Sequence, residues 1–157
     1  MKMQMVKFNC LKCGCQFKAP ELGFDSYGEF LLRSAGGASE AYLDAMQDST
    51  YQEVNALLKS HPRLRELKPN ALAAVLRKSY GLIACDPDQA GNAFQIGMFP
   101  KCPSCGSQEM ASWEATDPPE FVEKEISPVT HLVWSSLSDA EKAAKVAQVL
   151  AQLGYLP

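Results

Sequence analysis

The chain has 157 residues, 46% of them hydrophobic and 21% charged, close to the averages of folded soluble domains and unlike those of disordered chains. Its net charge of −3 argues against a general nucleic-acid glue. No run approaches about 18 uninterrupted apolar residues, so no membrane-spanning segment is expected.

The first residues, Met1-Lys2-Met3-Gln4-Met5-Val6-Lys7-Phe8, interleave polar and apolar side chains and contain no continuous apolar core of a leader peptide. The alternation over residues 3–8 predicts a short strand instead. It runs into Cys10-Leu11-Lys12-Cys13-Gly14, where two thiols at C-x₂-C spacing can grip one metal ion. Gln16-Phe17-Lys18-Ala19 reads as the returning strand, ended by Pro20. Cys15 lies so close to this turn that it can replace Cys13 as a ligand or stand beside the site as a spare thiol.

From about Ser26 to Tyr80 the pattern is read as helical. Tyr27 to Arg33 is expected as a short helix halted by Gly36-Gly37, and Ser39 as the cap of a second running Glu40 to Gln47. Asp48 or Ser49 caps a third, with Tyr51, Val54, Leu57 and Leu58 at helical spacing, and His61-Pro62 ends it. Pro69 suits the first turn of a fourth, whose apolar face holds Ala71, Leu72, Val75 and Leu76 and whose expected terminator is Gly81. These helices are expected to pack as a small bundle.

Asp86-Pro87-Asp88 reads as a turn, and Gln95 to Phe99 as a strand leading to a second knuckle, Cys102-Pro103-Ser104-Cys105-Gly106. Met110 to Ala115 should leave that knuckle as a strand, broken by Asp117-Pro118-Pro119, and Phe121 to Ile126 should form one more. Ser138-Asp139-Ala140-Glu141 is a capping box for a last helix from Asp139 to Leu153. Its inward face should hold Ala143, Val146, Ala147, Leu150 and Leu153, with Gly154 as terminator.

The two C-x₂-C pairs are the strongest chemical signal in the chain. Together Cys10, Cys13, Cys102 and Cys105 supply the four sulfurs of a tetrahedral site. Paired cysteines in a cytosolic protein, the compartment expected here, read as metal ligands before disulfides. The residues C-x-x-C-G at 10–14 and C-P-x-C-G at 102–106 resemble the knuckles of zinc-ribbon and rubredoxin-like domains. The resemblance covers the first 20 residues or so and the stretch from Gln95 to Ala115, and it implies a closed four-thiolate site for one structural zinc ion or, less favoured, one iron. An 88-residue stretch separates the knuckles, so the ribbon is expected to be split by an insertion. The expected fold is therefore α+β in one domain. Residues 1–22 and 94–127 form the antiparallel ribbon, 23–93 a mainly helical insertion, and 128–157 a C-terminal helical segment.

Charge is distributed unevenly. Residues 1–78 carry 11 Lys and Arg against 8 Asp and Glu, whereas residues 79–157 carry 4 against 10. Lys59, Arg63, Arg65, Lys68, Arg77 and Lys78 share their segment with the single acid Glu66, which makes them the candidate binding surface. The bland reading is a solvated pair of helix faces, or a face covered by the chain's own acidic half. Cys85 is read as a small buried hydrophobe, His61 and His131 as structural, and Trp113 and Trp134 as core or lid residues. A Cys85–His131 nucleophile–base pair depends on the fold placing them together. No nucleophile elbow, phosphate-binding glycine loop or H-E-x-x-H motif occurs. The function expected is that of a non-enzymatic intracellular adaptor, regulator or inhibitor binding another protein. A nucleic-acid-associated ribbon and a rubredoxin-like electron carrier are the alternatives.

Overall fold

The computed structural model describes residues 1–23, 27–37 and 39–156, and over these the chain is an α+β fold of two antiparallel sheets and four helices. The first sheet is built on β1 (Lys2–Cys10), which pairs with β2 (Gln16–Glu21). The second sheet takes β3 (Glu29–Ser34) and β4 (Glu40–Asp44). Two helices follow, α1 (Ser49–Ser60) and α2 (Pro69–Ala84), and then β5 (Phe94–Ile96) returns to β3 to complete the order β4–β3–β5. After the second knuckle, β6 (Met110–Ala115) and β7 (Phe121–Glu123) both pair with β1. The chain closes with the short α3 (Leu132–Ser135) and α4 (Asp139–Gln152).

The folded apolar residues form two cores. The larger lies between the second sheet and the helices, where Leu32, Leu43, Val54, Leu58, Tyr80, Trp134 and Leu150 are essentially removed from water. Each such side chain contributes about 1.5–3 kcal/mol of transfer free energy. The smaller lies under the first sheet and joins Val6, Phe8 and Met110 to the inner cysteines of both knuckles, Cys10 and Cys102. Alternation along β1 produces this directly, since Val6, Phe8 and Cys10 share one face.

Polar fasteners cross from one layer to the other. The buried Arg33 of β3 donates from Nη1 to Glu21 Oε1 (2.6 Å) and to the Met98 carbonyl (3.1 Å). Its Nη2 donates to the carbonyl of Pro20 (3.1 Å), and Glu40, itself paired with Lys124, faces its Nε. Gln108, just past the second knuckle, accepts from Gly36 N–H and donates to the carbonyls of Ser34 and Phe99.

Two expected helices are strands. Residues 29–34 and 40–44 form the hairpin β3–β4, and the Gly36-Gly37 pair, both at positive φ, turns the chain rather than stopping a helix. The physical reason is position in the sheet. β3 is the central strand, covered on both faces, so Phe30-Leu31-Leu32 is a continuous apolar run that periodicity does not distinguish from a helix. In β4 the inward residues Ala41 and Leu43 do alternate, although Glu40 and Ala41 are good helix formers. Ser26, where the helical stretch was expected to begin, lies outside the described residues. Pro20 does not end β2, which continues to Glu21; the strand is on the sheet edge, where a missing N–H costs no ladder bond. The strand expected over residues 95–99 is the shorter β5, paired with β3.

The remaining helices form as expected, with local differences. Asp48 caps α1 by accepting from the N–H groups of Thr50 and Tyr51, and Pro69 opens α2. The Ser138–Glu141 capping box is formed at α4, and Gly154 follows it at φ +83°. On α4 the buried residues are Val146, Val149 and Leu150, whereas Ala143 is exposed. Gly81 does not end α2, which runs three residues further; it lies where β5 crosses the helix, and a Cβ there would meet the Phe94 carbonyl group.

Two predictions follow from this packing. Gly81→Ala gains helix propensity but collides with backbone, so urea denaturation should show a net loss of about 1–3 kcal/mol. Glu53 accepts from Trp134 Nε1 at 2.6 Å, which holds its carboxyl below the usual range. A depressed acid contributes stability above its unfolded pKa and loses it as pH falls through the folded value. Denaturation midpoints of Glu53→Gln, measured as pH falls from 6 towards about 3, should therefore decline less steeply than those of the parent chain.

Candidate metal centre

Both knuckles have the same backbone geometry. In the first, Gly14 N–H donates to the Cys10 carbonyl (3.0 Å) while Cys10 N–H donates to that of Cys15 (2.9 Å). In the second, Gly106 N–H donates to Cys102 (2.9 Å) and Cys102 N–H to Ser107 (2.8 Å). Each turn requires a left-handed residue after its second cysteine, supplied by Gly14 at φ +75° and Gly106 at φ +79°. This is the structural content of the C-x₂-C-G spacing.

Sheet pairing then brings the knuckles together. Met110 of β6 pairs with Cys10 after a bulge that separates it from the Asn9–Ser112 pair, and Leu11 N–H donates to the Glu109 carbonyl (2.9 Å). The sulfurs of Cys10, Cys13, Cys102 and Cys105 all lie within 4.8 Å of one another. Cys10 and Cys105 are 3.5 Å apart and Cys13 and Cys102 3.6 Å, near the roughly 3.8 Å edge of a tetrahedron with 2.3 Å metal–sulfur bonds. Cys10 and Cys102 are buried at the inner side, Cys13 and Cys105 are exposed at the outer, and the set can hold one metal ion. Cys15 is outside this set, with its sulfur accepting from the Ser104 hydroxyl at 3.3 Å.

The electrostatics of the cluster suit negative sulfur at the two inner positions. The N–H of Cys13, followed by weaker contributions including that of Lys12, lowers the Cys10 thiol. The N–H groups of Cys105 and Ser104 lower Cys102 to about 6. Cys13 accepts from Cys15 N–H, but partial desolvation and the adjoining sulfurs of Cys102, Cys105 and Cys10 outweigh that bond and push it up to about 12. Four thiols without a cation compete for charge in one small volume; a divalent ion removes that competition.

The other residues singled out from the sequence lie elsewhere. Lys59 is in the last turn of α1, Arg63 and Arg65 are in the connector, Lys68 caps α2, and Arg77 and Lys78 lie on α2. All six are exposed, and none forms an ion pair among the described residues. His61 ends α1 and accepts from Arg63 N–H through Nδ1 (3.1 Å). His131 ties three elements together, with Nε2 2.9 Å from Asp48 Oδ2 and 3.1 Å from the Tyr80 hydroxyl, and Nδ1 2.8 Å from the Ala84 carbonyl. Its hydrogen bonds do not include Cys85 among the described residues. Burial, with the charges of Asp48 and Asp86, pushes the Cys85 thiol up to about 12, opposite to what a nucleophile requires. Trp134 belongs to the main core at 2% exposure, whereas Trp113 stands 56% exposed on β6.

Sequence reasoning did not single out Arg33, Gln108 or the cavity near them. That cavity has a volume of about 450 Å³ and lies between the two sheets, with Phe8, Leu31, Phe99 and Trp113 on its walls and Glu21 and Arg33 at its polar side. An arginine directly after the apolar run 30–32 of β3 was the available signal, since a buried charge there must be satisfied by partners from another layer. No protein family, curated protein or solved structure matches the chain.

Proposed function

We propose that the chain is a non-enzymatic intracellular interaction protein in which Cys10, Cys13, Cys102 and Cys105 hold one structural zinc ion. The observation that carries this reading is the convergence of four sulfurs, contributed by knuckles 88 residues apart, within 4.8 Å. Four thiolates suit zinc or a single iron, and zinc is the commoner occupant of closed sites that tie chain segments together. When bound, the ion supplies cross-linking free energy and leaves no open coordination position for a substrate. The chain's own part is to aim peptide N–H groups at the sulfurs and to shield the inner pair beneath Phe8 and Met110. The interaction role is supported by an exposed basic surface on α1, α2 and their connector that forms no ion pair among the described residues.

Elemental mass spectrometry with a visible spectrum, on untagged protein purified without added metal, tests the clasp. About one zinc per chain is expected, lost in Cys102→Ser/Cys105→Ser together with at least about 3 kcal/mol of stability, or about 10 °C in Tm. One iron with a red colour bleached by reductant would move electron transfer to first place. Metal-free, folded, reduced protein would falsify the clasp. The ligand set has its own check: Cys15→Ser should keep stoichiometric zinc, while Cys13→Ser should weaken zinc binding by about tenfold or more in a competition titration with a chromogenic chelator.

A further inference from the structure

Helices α1 and α2 leave a cleft uncovered. Tyr51, Asn55 and Lys59 recur along α1 every four residues and form one wall, while Leu72, Ala73 and Leu76 of α2 form the other. The cleft has a volume of about 590 Å³ and is bounded at one end by Arg65 and Leu67 of the connector. Leu67 is 39% exposed there, and beneath it the floor is apolar.

The charged residues that line this cleft, Lys59 and Arg65, are of one sign. Lys59 ends α1, Arg65 bounds the cleft, and Lys68 stands at the N-cap of α2, which has no side-chain cap bond and no acid in its first turn. The positive end of the α2 dipole therefore adds to Lys68 at the N-cap, next to the cleft-lining Leu67 and Pro69, and to the lining cations Lys59 and Arg65. Among the described residues none of the three forms an ion pair: Glu66, beside Arg65 in the connector, is exposed and does not line the cleft, Glu53 is held by Lys142 and Trp134, and Glu40 by Arg33 and Lys124. Like charges in solvent repel, so a ligand that brings carboxylates relieves a cost the isolated chain carries.

We propose that this cleft receives an acidic amphipathic helix of a partner protein, its apolar side on Leu67, Leu72 and Leu76 and its carboxylates towards Lys59, Arg65 and Lys68. Two adjacent helices with facing stripes are the receptor half of helix-in-groove recognition. The 12 residues of α1 span about 18 Å, which a partner helix of about three to four turns matches. Nucleic acid fits less well. A phosphate backbone has no use for the apolar floor, and the nearest aromatic ring, Tyr51, is packed against Tyr80 at 4.7 Å and Phe30 at 6.3 Å rather than presented for base stacking. The inference rests on the interaction-protein reading and specifies the partner's chemistry.

The test uses a fluorescein-labelled peptide of about 16 residues, built from Glu, Ala and Leu with the leucines on one helical face, titrated with zinc-loaded full-length protein. Anisotropy should report binding with a Kd of tens of micromolar or tighter. It should weaken about tenfold in Lys59→Glu/Arg65→Glu and, independently, in Ala73→Arg, which fills the cleft without removing a cation. The same peptide with Lys replacing Glu should not bind. Zinc content and far-UV circular dichroism on the same samples separate the two readings: a metal-free sample counts against the clasp, not the cleft. Zinc-loaded, folded protein that leaves the acidic peptide unbound up to about 1 mM overturns the proposal. So does a single-stranded oligonucleotide that binds more tightly and ignores Ala73→Arg, or self-association of the chain that the charge reversals abolish.

Discussion

Strand β1 sets the problem that the rest of the chain solves. It pairs on one side with β2, its immediate successor, and on the other with residues about a hundred positions later, in the registers Val6–Ala115, Phe8–Trp113 and Cys10–Met110. The chain between β2 and β6 must leave this sheet and come back. Closing a loop grows more costly only with the logarithm of its length, so an excursion of this size costs little more than one of half the size. The excursion carries most of the larger core, which α3 and α4 complete with Trp134, Val146, Val149 and Leu150.

What joins the two parts is largely polar. Arg33 is 4% exposed, and its charge is met by Glu21, Glu40 and the carbonyls of Pro20 and Met98, drawn from the first sheet, the second sheet and the loop before the second knuckle. A buried guanidinium is tolerable only with such an inventory, and removing a partner leaves an uncompensated charge. Burial raises the Glu21 carboxyl despite the adjacent arginine, so desolvation is the larger influence on that acid. Gln108 acts more simply: one side-chain amide engages the β3–β4 turn through both its donor and its acceptor. The geometry of the second knuckle is thereby coupled to the sheet that supports the helices.

The readable parts of the sequence were those fixed by local chemistry. Cysteine spacing with a following glycine specified both knuckles, because the turn needs a left-handed residue there. Ser138 with Glu141, Asp48 before Ser49, and Pro69 marked helix starts through the orphan N–H groups each terminus leaves. The parts misread depend on what lies overhead. Residues 29–34 look helical until β4 and β5 flank them, and Gly81 looks like a helix end until β5 crosses it. Ala143 and Val149 exchange roles on α4 because the buried stripe is rotated about the helix axis relative to the expected one, towards Val149 and away from Ala143. At the site, the ligand types and their grouping were legible, whereas the fasteners that hold the knuckles in place were not.

The two tryptophans divide the molecule in a useful way. Trp134 is in the dry main core with its indole N–H on Glu53, and Trp113 is on β6 beside Phe99 at 4.6 Å, largely open to water. An indole in water emits to the red of one sealed in hydrocarbon. The chain therefore carries one intrinsic optical reporter for each of its cores, and the order in which they loosen is open to direct observation without any label.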